Sequence, residues 1–179
     1  MDKNRHLQRQ LDMKRSLLDQ GYLDEQFIQL EELQDDDNPD FVEETVTTFY
    51  NNSARFLQNI EHTLGDCPID FPKLDNYMHH FKGSSSSIGA TRVKNECTRF
   101  IEYCQAANAQ GCVRTFLQVK QEHAILKAKL ETYFQMAKSR IAAGAPSLCR
   151  SKNTSFAEFA SYRKYKLFRK SDIVYRYLK

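Results

Sequence analysis

An apolar or small residue recurs every three or four positions between residues 74 and 88. At an advance of about 100° per residue these positions form one narrow stripe on a helix, and steps of +4, +3, +4 and +3 match the seam of a helical bundle. The segment therefore predicts a helix that buries one face in a core. The members of this seam are Leu74, Met78, Phe81, Ser85 and Ile88.

A second stripe of the same helix carries His79, Lys82, Gly83 and Ser86. It is rotated by roughly 80–180° from the seam, so these residues are predicted to face water, and His80 points about 100° further round than His79. An imidazole nitrogen is a nucleophile near neutral pH and can carry a group covalently. If that group is a phosphoryl, Lys82 supplies a cation one turn away.

Gly83 is unexpected inside a helix, where glycine costs roughly 1 kcal/mol relative to alanine. Its lack of a side chain leaves space one turn from His79, through which another domain could bring a reactive group. The alternative is that His79 is an ordinary surface histidine and that the Gly-Ser run is a linker. The apolar seam continues through the serines, which argues against a linker.

Residues 79–90 read HHFKGSSSSIGA and are followed by Arg92-Val93-Lys94 and Cys97. This run resembles the signature of plant histidine-containing phosphotransfer proteins, HQ(L/F)KGSSSSIGA. The resemblance implies that His79 is the phosphorylated histidine and that Lys82 and Gly83 are the family's neighbouring lysine and glycine. His80 stands where the family usually has glutamine, a residue that could contact the phosphoryl group or a partner.

The resemblance also implies a function. The receiver domain of a hybrid sensor histidine kinase would phosphorylate His79, and a response-regulator receiver would accept the group, in cytokinin signalling between cytoplasm and nucleus. The protein would need no cofactor, since the receiver brings Mg²⁺, and residues 1–179 contain no phosphate-binding GxxxxGK[ST] loop for ATP. The alternative is a pseudo-phosphotransfer module that binds receivers without passing phosphate; such relatives lack the histidine that this chain keeps.

Helix start and stop signals divide the first half of the chain. We expect one helix over residues 4–18 and a second capped by Asp24. Asn38, with Pro39 at the first helical position, predicts the start of a third helix that ends at Gly65. Its predicted inward positions are Val42, Val46 or Thr45, Phe49, Phe56, Ile60 and Leu64.

The second half follows the same rules. After a turn over residues 67–72, the His79 helix is predicted to stop at Gly89. A further helix covers residues 91–109, Gly111 breaks the chain, and a long helix covers residues 113–142. The predicted inward positions are Val93, Cys97, Phe100, Ile101 and Cys104, then Phe116, Val119, His123, Leu126, Leu130, Tyr133 and Phe134.

These elements predict an all-α fold, an antiparallel four-helix bundle with short N-terminal capping helices. Hydrophobic residues make up 41% of the chain without any apolar run near 18 residues, and the first residues lack a signal core. We therefore expect no membrane association. The five cysteines lack metal-ligand or CxxC spacing, which favours reduced thiols rather than a disulfide framework or a metal site.

The predicted phosphotransfer domain covers residues 1–141, and residues 142–179 form a basic extension. From Ala142 onward there are nine Lys/Arg and two Asp/Glu, so the preceding part has a net charge of −4 although the whole chain is +3. The favoured interpretation is a poorly ordered extension. The alternative, a nucleic-acid binder, depends only on the aromatic and basic residues of this extension.

Overall fold

The fold is known from a computed structural model, which describes residues 2–35 and 37–142. This part of the chain contains six helices. They are α1 (Asp2–Asp19), α2 (Glu25–Glu32), α3 (Phe41–Gly65), α4 (Phe71–Ser87), α5 (Thr91–Gln105) and α6 (Ala109–Ala142).

Helices α3 to α6 form the predicted antiparallel bundle, in which α4 packs between α3 and α5, and α5 packs between α4 and α6. Two ion pairs show that α3 and α6 run in opposite directions. Glu43 pairs with Lys138 near the start of α3, whereas Glu61 pairs with Lys120 near its end. Helix α1 packs on α6 and α2 contacts α4. The fold-class prediction is confirmed, although α1, with 18 residues, is as long as the bundle helix α4 with 17, and only α2 is short.

The α4 seam lies in the core as predicted. Leu74, Met78 and Phe81 have no exposed surface, and Ser85 and Ile88 are equally enclosed. The five inward positions predicted for α5 are all buried. In α3, Val46 rather than Thr45 is the buried alternative, while Phe56 and Leu64 are only partly buried. The inward positions of α6 are buried except His123 and Phe134, which are intermediate.

The predicted start of α3 is wrong by about two residues. The helix begins at Phe41, and Asp40 is the N-cap residue, without a side-chain capping bond. Asn38 instead belongs to the preceding turn, where its backbone N–H donates to Asp35. The Asn-Pro pair therefore marks a turn before the helix rather than its first residue.

The prediction that Gly111 breaks the chain is also wrong. The break lies at residues 106–108, where Ala107 has a left-handed φ of 49°, and Gly111 is already in the first turn of α6. Asn108 caps that turn, its side-chain oxygen accepting from the Gly111 N–H at 2.8 Å. A Cβ added at Gly111 would lie 2.3 Å from the ring of Tyr103 on α5. Glycine is present here because α5 and α6 approach closely.

We expect Gly111→Ala to destabilise the fold by about 1–3 kcal/mol, because the Tyr103 ring must move to admit the methyl group. Gly65→Ala is the matched control, since a Cβ there meets nothing within 4 Å, and it should gain up to about 1 kcal/mol in helix propensity. Urea unfolding of both variants measures the two changes. Equal stability of the two variants would contradict the close-approach explanation.

His123 lies on α6 among aromatic rings. Its ring centroid is 5.8 Å from those of Phe49 and Phe81 and 4.8 Å from that of Tyr50, and its Nε2 atom is buried without a partner among the described residues. Burial, aided by the nearby charge of Lys127, lowers the pKa of His123 from 6.5 to about 4. The imidazole is therefore a neutral core residue at physiological pH.

This pKa predicts a loss of stability in acid. Between pH 6.5 and 4 the unfolded chain binds a proton that the folded chain does not, so stability is complete above pH 6.5 and falls as the pH drops towards 4. The loss should reach up to about 3 kcal/mol. Urea unfolding at pH 7 and pH 4.5 should show a smaller loss for His123→Phe than for the parent. Equal losses would show that His123 is not responsible.

Asp24, in the loop between α1 and α2, forms hydrogen bonds with the turn that follows α4. Asp24 caps α2 through the Gln26 N–H, and its backbone N–H donates to the Gly89 carbonyl at 3.0 Å. The other carboxylate oxygen of Asp24 accepts from Thr91 and pairs with Lys94 at 3.2 Å. Gly89 has a φ of +73° and ends α4 as predicted, and a Cβ there would lie 2.6 Å from Asp24.

Cys97, Cys104 and Cys112 are buried free thiols, and Cys67 is exposed. Over residues 2–35 and 37–142, no helix combines the length and apolar character that crossing a membrane requires. Apart from residue 142, the predicted basic extension lies outside the described residues, so its predicted disorder and the domain boundary at residue 141 stay predictions.

Candidate functional site

The helix α4 presents the candidate site near its middle. The Asp70 side chain caps its start by accepting from the Lys73 N–H at 2.9 Å, and Pro72 occupies the first turn. Serines are weak helix formers because their hydroxyls compete for backbone groups. Here the hydroxyls of Ser85 and Ser86 donate to carbonyls one turn back, at 2.8 and 2.9 Å. The helix therefore continues through the serine run.

His79 projects from α4 into solvent, as predicted, with 53% of its side chain exposed. Its Nδ1 atom lies 3.0 Å from the backbone oxygen of Asp75 and 3.1 Å from the carboxylate Oδ2 of the same residue. A backbone carbonyl and an ionised carboxylate accept hydrogen bonds and cannot donate them. The ring proton is therefore assigned to Nδ1.

The proton on Nδ1 leaves Nε2 with a lone pair. Within the described chain no hydrogen bond to His79 Nε2 is found. An unprotonated, accessible imidazole nitrogen is the form that attacks an electrophile. The geometry therefore provides a nucleophile on an exposed helix face.

Lys82 lies on the side of α4 that faces α5. This placement follows from the thiol of Cys97, a buried residue of α5. Burial raises the pKa of the thiol, and the next largest influence is the Lys82 ammonium, which lowers it. Lys82 is half-buried. Its charge therefore lies close enough to α5 to act on the Cys97 thiol.

His80 lies on the other side, towards α3. It is exposed, and its ring is nearly parallel to that of Phe56, at an interplanar angle of 8° and a centroid distance of 6.3 Å. His79 is thus flanked by charged groups on the α5 side and by an aromatic pair on the α3 side.

Gly83 and Ser86 are half-buried residues on the predicted stripe. The hydroxyl of Ser86 donates to the Lys82 carbonyl, so its proton is already engaged in the helix. The roles predicted for His80, Lys82, Gly83 and Ser86 remain predictions. Among the described residues, no group of three or more His, Cys, Asp or Glu side chains is arranged to hold a metal ion.

Asp75 is the site residue that the sequence reasoning missed. It lies one turn before His79, and a carboxylate four residues before a histidine on a helix is a recognisable signal for a side-chain pair. Helical periodicity assigns residues 74 and 78 to the core but gives no role to the carboxylate between them.

Comparison with known proteins agrees with this geometry. The Hpt domain family matches residues 44–135. The chain is 61% identical over 116 residues to histidine-containing phosphotransfer protein 4 of Arabidopsis thaliana, covering 65% of this chain and 91% of that protein. It is 52% identical over 132 residues to pseudo histidine-containing phosphotransfer protein 5 of Oryza sativa subsp. japonica, covering 74% and 87%.

A solved structure shows the same fold. The crystal structure of the histidine-containing phosphotransfer protein MtHPt2 from Medicago truncatula matches with a TM-score of 0.74 and 42% sequence identity, covering 78% of this chain and 95% of that one. The fold, the exposed histidine and these similarities define one class of protein. The chain belongs to the Hpt domain family, and the relatives named here are plant histidine-containing phosphotransfer proteins and a pseudo form of them.

We expect Gly83→Phe to slow phosphoryl transfer to His79 by about tenfold or more, because a large side chain one turn away would obstruct the approach of a partner. Gly83→Ala is the matched control and should keep both transfer and fold. Transfer from a phosphorylated receiver domain measures the effect, with circular dichroism as the check on folding. Parent-like transfer by Gly83→Phe would show that the glycine has another purpose.

Proposed function

We propose that this protein is a phosphorelay intermediate that carries a phosphoryl group on His79. The observation that carries the proposal is the exposed imidazole whose Nδ1 is held by two acceptor oxygens while Nε2 remains available. Kinship with histidine-containing phosphotransfer proteins supports it.

Transfer of a phosphoryl group depends on positioning and on stabilising charge on its oxygens. In the proposed reaction Nε2 of His79 attacks the phosphorus in line with the leaving oxygen. The Lys82 ammonium, one turn along the helix, would stabilise the charge on the phosphoryl oxygens. Ser86 and His80 border the same surface and would contact the partner or the phosphoryl group.

The proposed donor is the receiver domain of a hybrid sensor histidine kinase, and the proposed acceptor is the receiver of a response regulator. The receiver would supply the Mg²⁺ ion and its acidic cluster, and this chain would supply no cofactor or nucleotide site. We place the pathway in cytokinin signalling, with the protein in cytoplasm and nucleus. Similarity to plant histidine-containing phosphotransfer proteins supports the relay.

A second candidate is a module that occupies receivers without passing phosphate. Its support is the 52% identity to a rice protein named as a pseudo histidine-containing phosphotransfer protein. The two functions make opposite predictions about His79, since a receiver-binding module does not need a nucleophile.

We expect His79→Gln to abolish label acceptance from a phosphorylated receiver while leaving the fold unchanged, because the side chain is largely exposed and contributes little packing. His80→Gln, which restores the residue usual in the family, is the matched control and should accept label. Acid-labile radiolabel on the protein gives the measurement, and circular dichroism checks the helix content.

Two outcomes would contradict the carrier. Label that persists in His79→Gln and disappears in His80→Gln would assign the chemistry to the neighbouring histidine. Receiver binding of normal affinity by the parent, with no label transferred in either direction, would support the non-transferring module instead.

A further inference from the structure

We propose that Asp75 is a positioning residue for the reaction of His79. Its backbone carbonyl and its carboxylate together keep the ring proton on Nδ1, and the carboxylate places a negative charge beside the ring as the phosphoryl group arrives. The inference rests on the proposed function and deepens it, because it names a residue that acts on the nucleophile rather than on the phosphoryl group.

One residue supplies both acceptors of the His79 Nδ1–H. The carbonyl oxygen of Asp75 lies at 3.0 Å and the carboxylate Oδ2 at 3.1 Å. The carbonyl is held rigidly by the helix and orients the ring. The carboxylate, on a flexible side chain, adds a negative charge beside it. Only 31% of the Asp75 side chain is exposed, and a charge-assisted hydrogen bond is stronger when water is partly excluded.

The other carboxylate oxygen of Asp75 is unsatisfied. Oδ1 is buried and finds no hydrogen-bond partner among the described residues. The carboxylate lies on the α5 side: the pKa of the Cys104 thiol is raised mainly by burial, then by Cys112, and the nearby Asp75 charge raises it further. A partly buried carboxylate without full hydrogen bonding gains more from a neighbouring positive charge than a solvated one does.

The reaction creates such a charge. When the Nε2 lone pair forms the bond to phosphorus, the bond between phosphorus and the donor oxygen breaks and its electrons leave with the donor carboxylate. The proton stays on Nδ1, so the phosphorylated ring becomes cationic and lies against the Asp75 carboxylate. In the return step the N–P electrons go back to Nε2 and the ring becomes neutral again.

The chain contains a natural comparison for this pair. His62 and Asp66 on and after α3 are also four residues apart, but Nδ1 and Oδ1 are separated by 3.7 Å and the side chains are 80% and 41% exposed. Within residues 2–35 and 37–142, the His62 ring has no hydrogen bond to a backbone oxygen. Asp66→Asn therefore removes a carboxylate from a His–Asp pair of the same spacing, away from the proposed site.

The first experiment compares three full-length variants in the transfer assay with a phosphorylated receiver. Asp75→Asn keeps the size of the side chain and removes its charge, and it should slow transfer to His79 by about tenfold, the effect of about 1.4 kcal/mol on the barrier. Asp75→Glu should recover most of the rate, and Asp66→Asn should transfer like the parent. Parent-like transfer by Asp75→Asn, or an equal loss in Asp75→Asn and Asp75→Glu, would overturn the inference.

The second experiment reads the ring directly. Nitrogen-15 chemical shifts of the parent's His79 at pH 8 should show a neutral ring with its proton on Nδ1. A proton mainly on Nε2 would overturn the inference whatever the transfer rates are. The same spectra report the His62 ring as an internal reference.

A chemical donor separates this inference from the proposed function. Phosphoramidate, which needs no receiver, should phosphorylate His79 of the parent about tenfold faster than that of Asp75→Asn. If phosphoramidate shows this difference while no receiver transfers label, the relay function fails and the role of Asp75 stands. If receivers transfer label equally to the parent and Asp75→Asn, the relay stands and the role of Asp75 fails.

Discussion

The burial of the α4 seam determines where His79 lies. Leu74, Met78 and Phe81 have no exposed surface, and burying each of these side chains contributes about 1.5–3 kcal/mol. That contribution outweighs the roughly 1 kcal/mol that Gly83 costs within the helix. It also fixes the rotation of α4 about its own axis, because turning the helix by one residue would expose an aromatic side chain. The orientation of His79 towards solvent is therefore set by core residues on the opposite side of the helix.

The surroundings of His79 differ on its two sides, and the difference follows from the neighbouring helices. Towards α5 lie Asp75 and Lys82, a carboxylate and an ammonium group on the same face of α4. Towards α3 lie His80 and Phe56, whose rings are nearly parallel. A partner that approaches this face meets charge on one side and aromatic surface on the other. This asymmetry would help to orient a docking domain before any bond is made.

Sequence reasoning predicted the seam, the exposed histidine and the bundle because all three depend on helical periodicity, which is local. It failed where a tertiary contact decides the outcome. From sequence, Gly111 predicts a helix break. The structure shows that it allows close packing against Tyr103, a contact that sequence spacing does not predict. Asn38 and Pro39 match a helix start, yet the turn before α3 uses them instead. Asp75 was within reach of sequence reasoning, but its second, carbonyl contact with the ring depends on the side-chain rotamer of His79, which a sequence does not reveal.

The hydrogen bond between Asp24 and Gly89 shows that the folded domain is larger than the segment that matches the Hpt family. The Hpt match begins at residue 44, inside α3. Five buried apolar core residues lie before that point, Leu17, Leu23, Phe27, Leu30 and Val42. The Asp24 carboxylate, which ties the end of α4 to the start of α5, also lies before it. A fragment cut at the homology boundary would leave an apolar face of the bundle bare and release the turn that ends the histidine helix. A piece of this chain that keeps these contacts must begin in α1, which ends more than two dozen residues before the Hpt match starts.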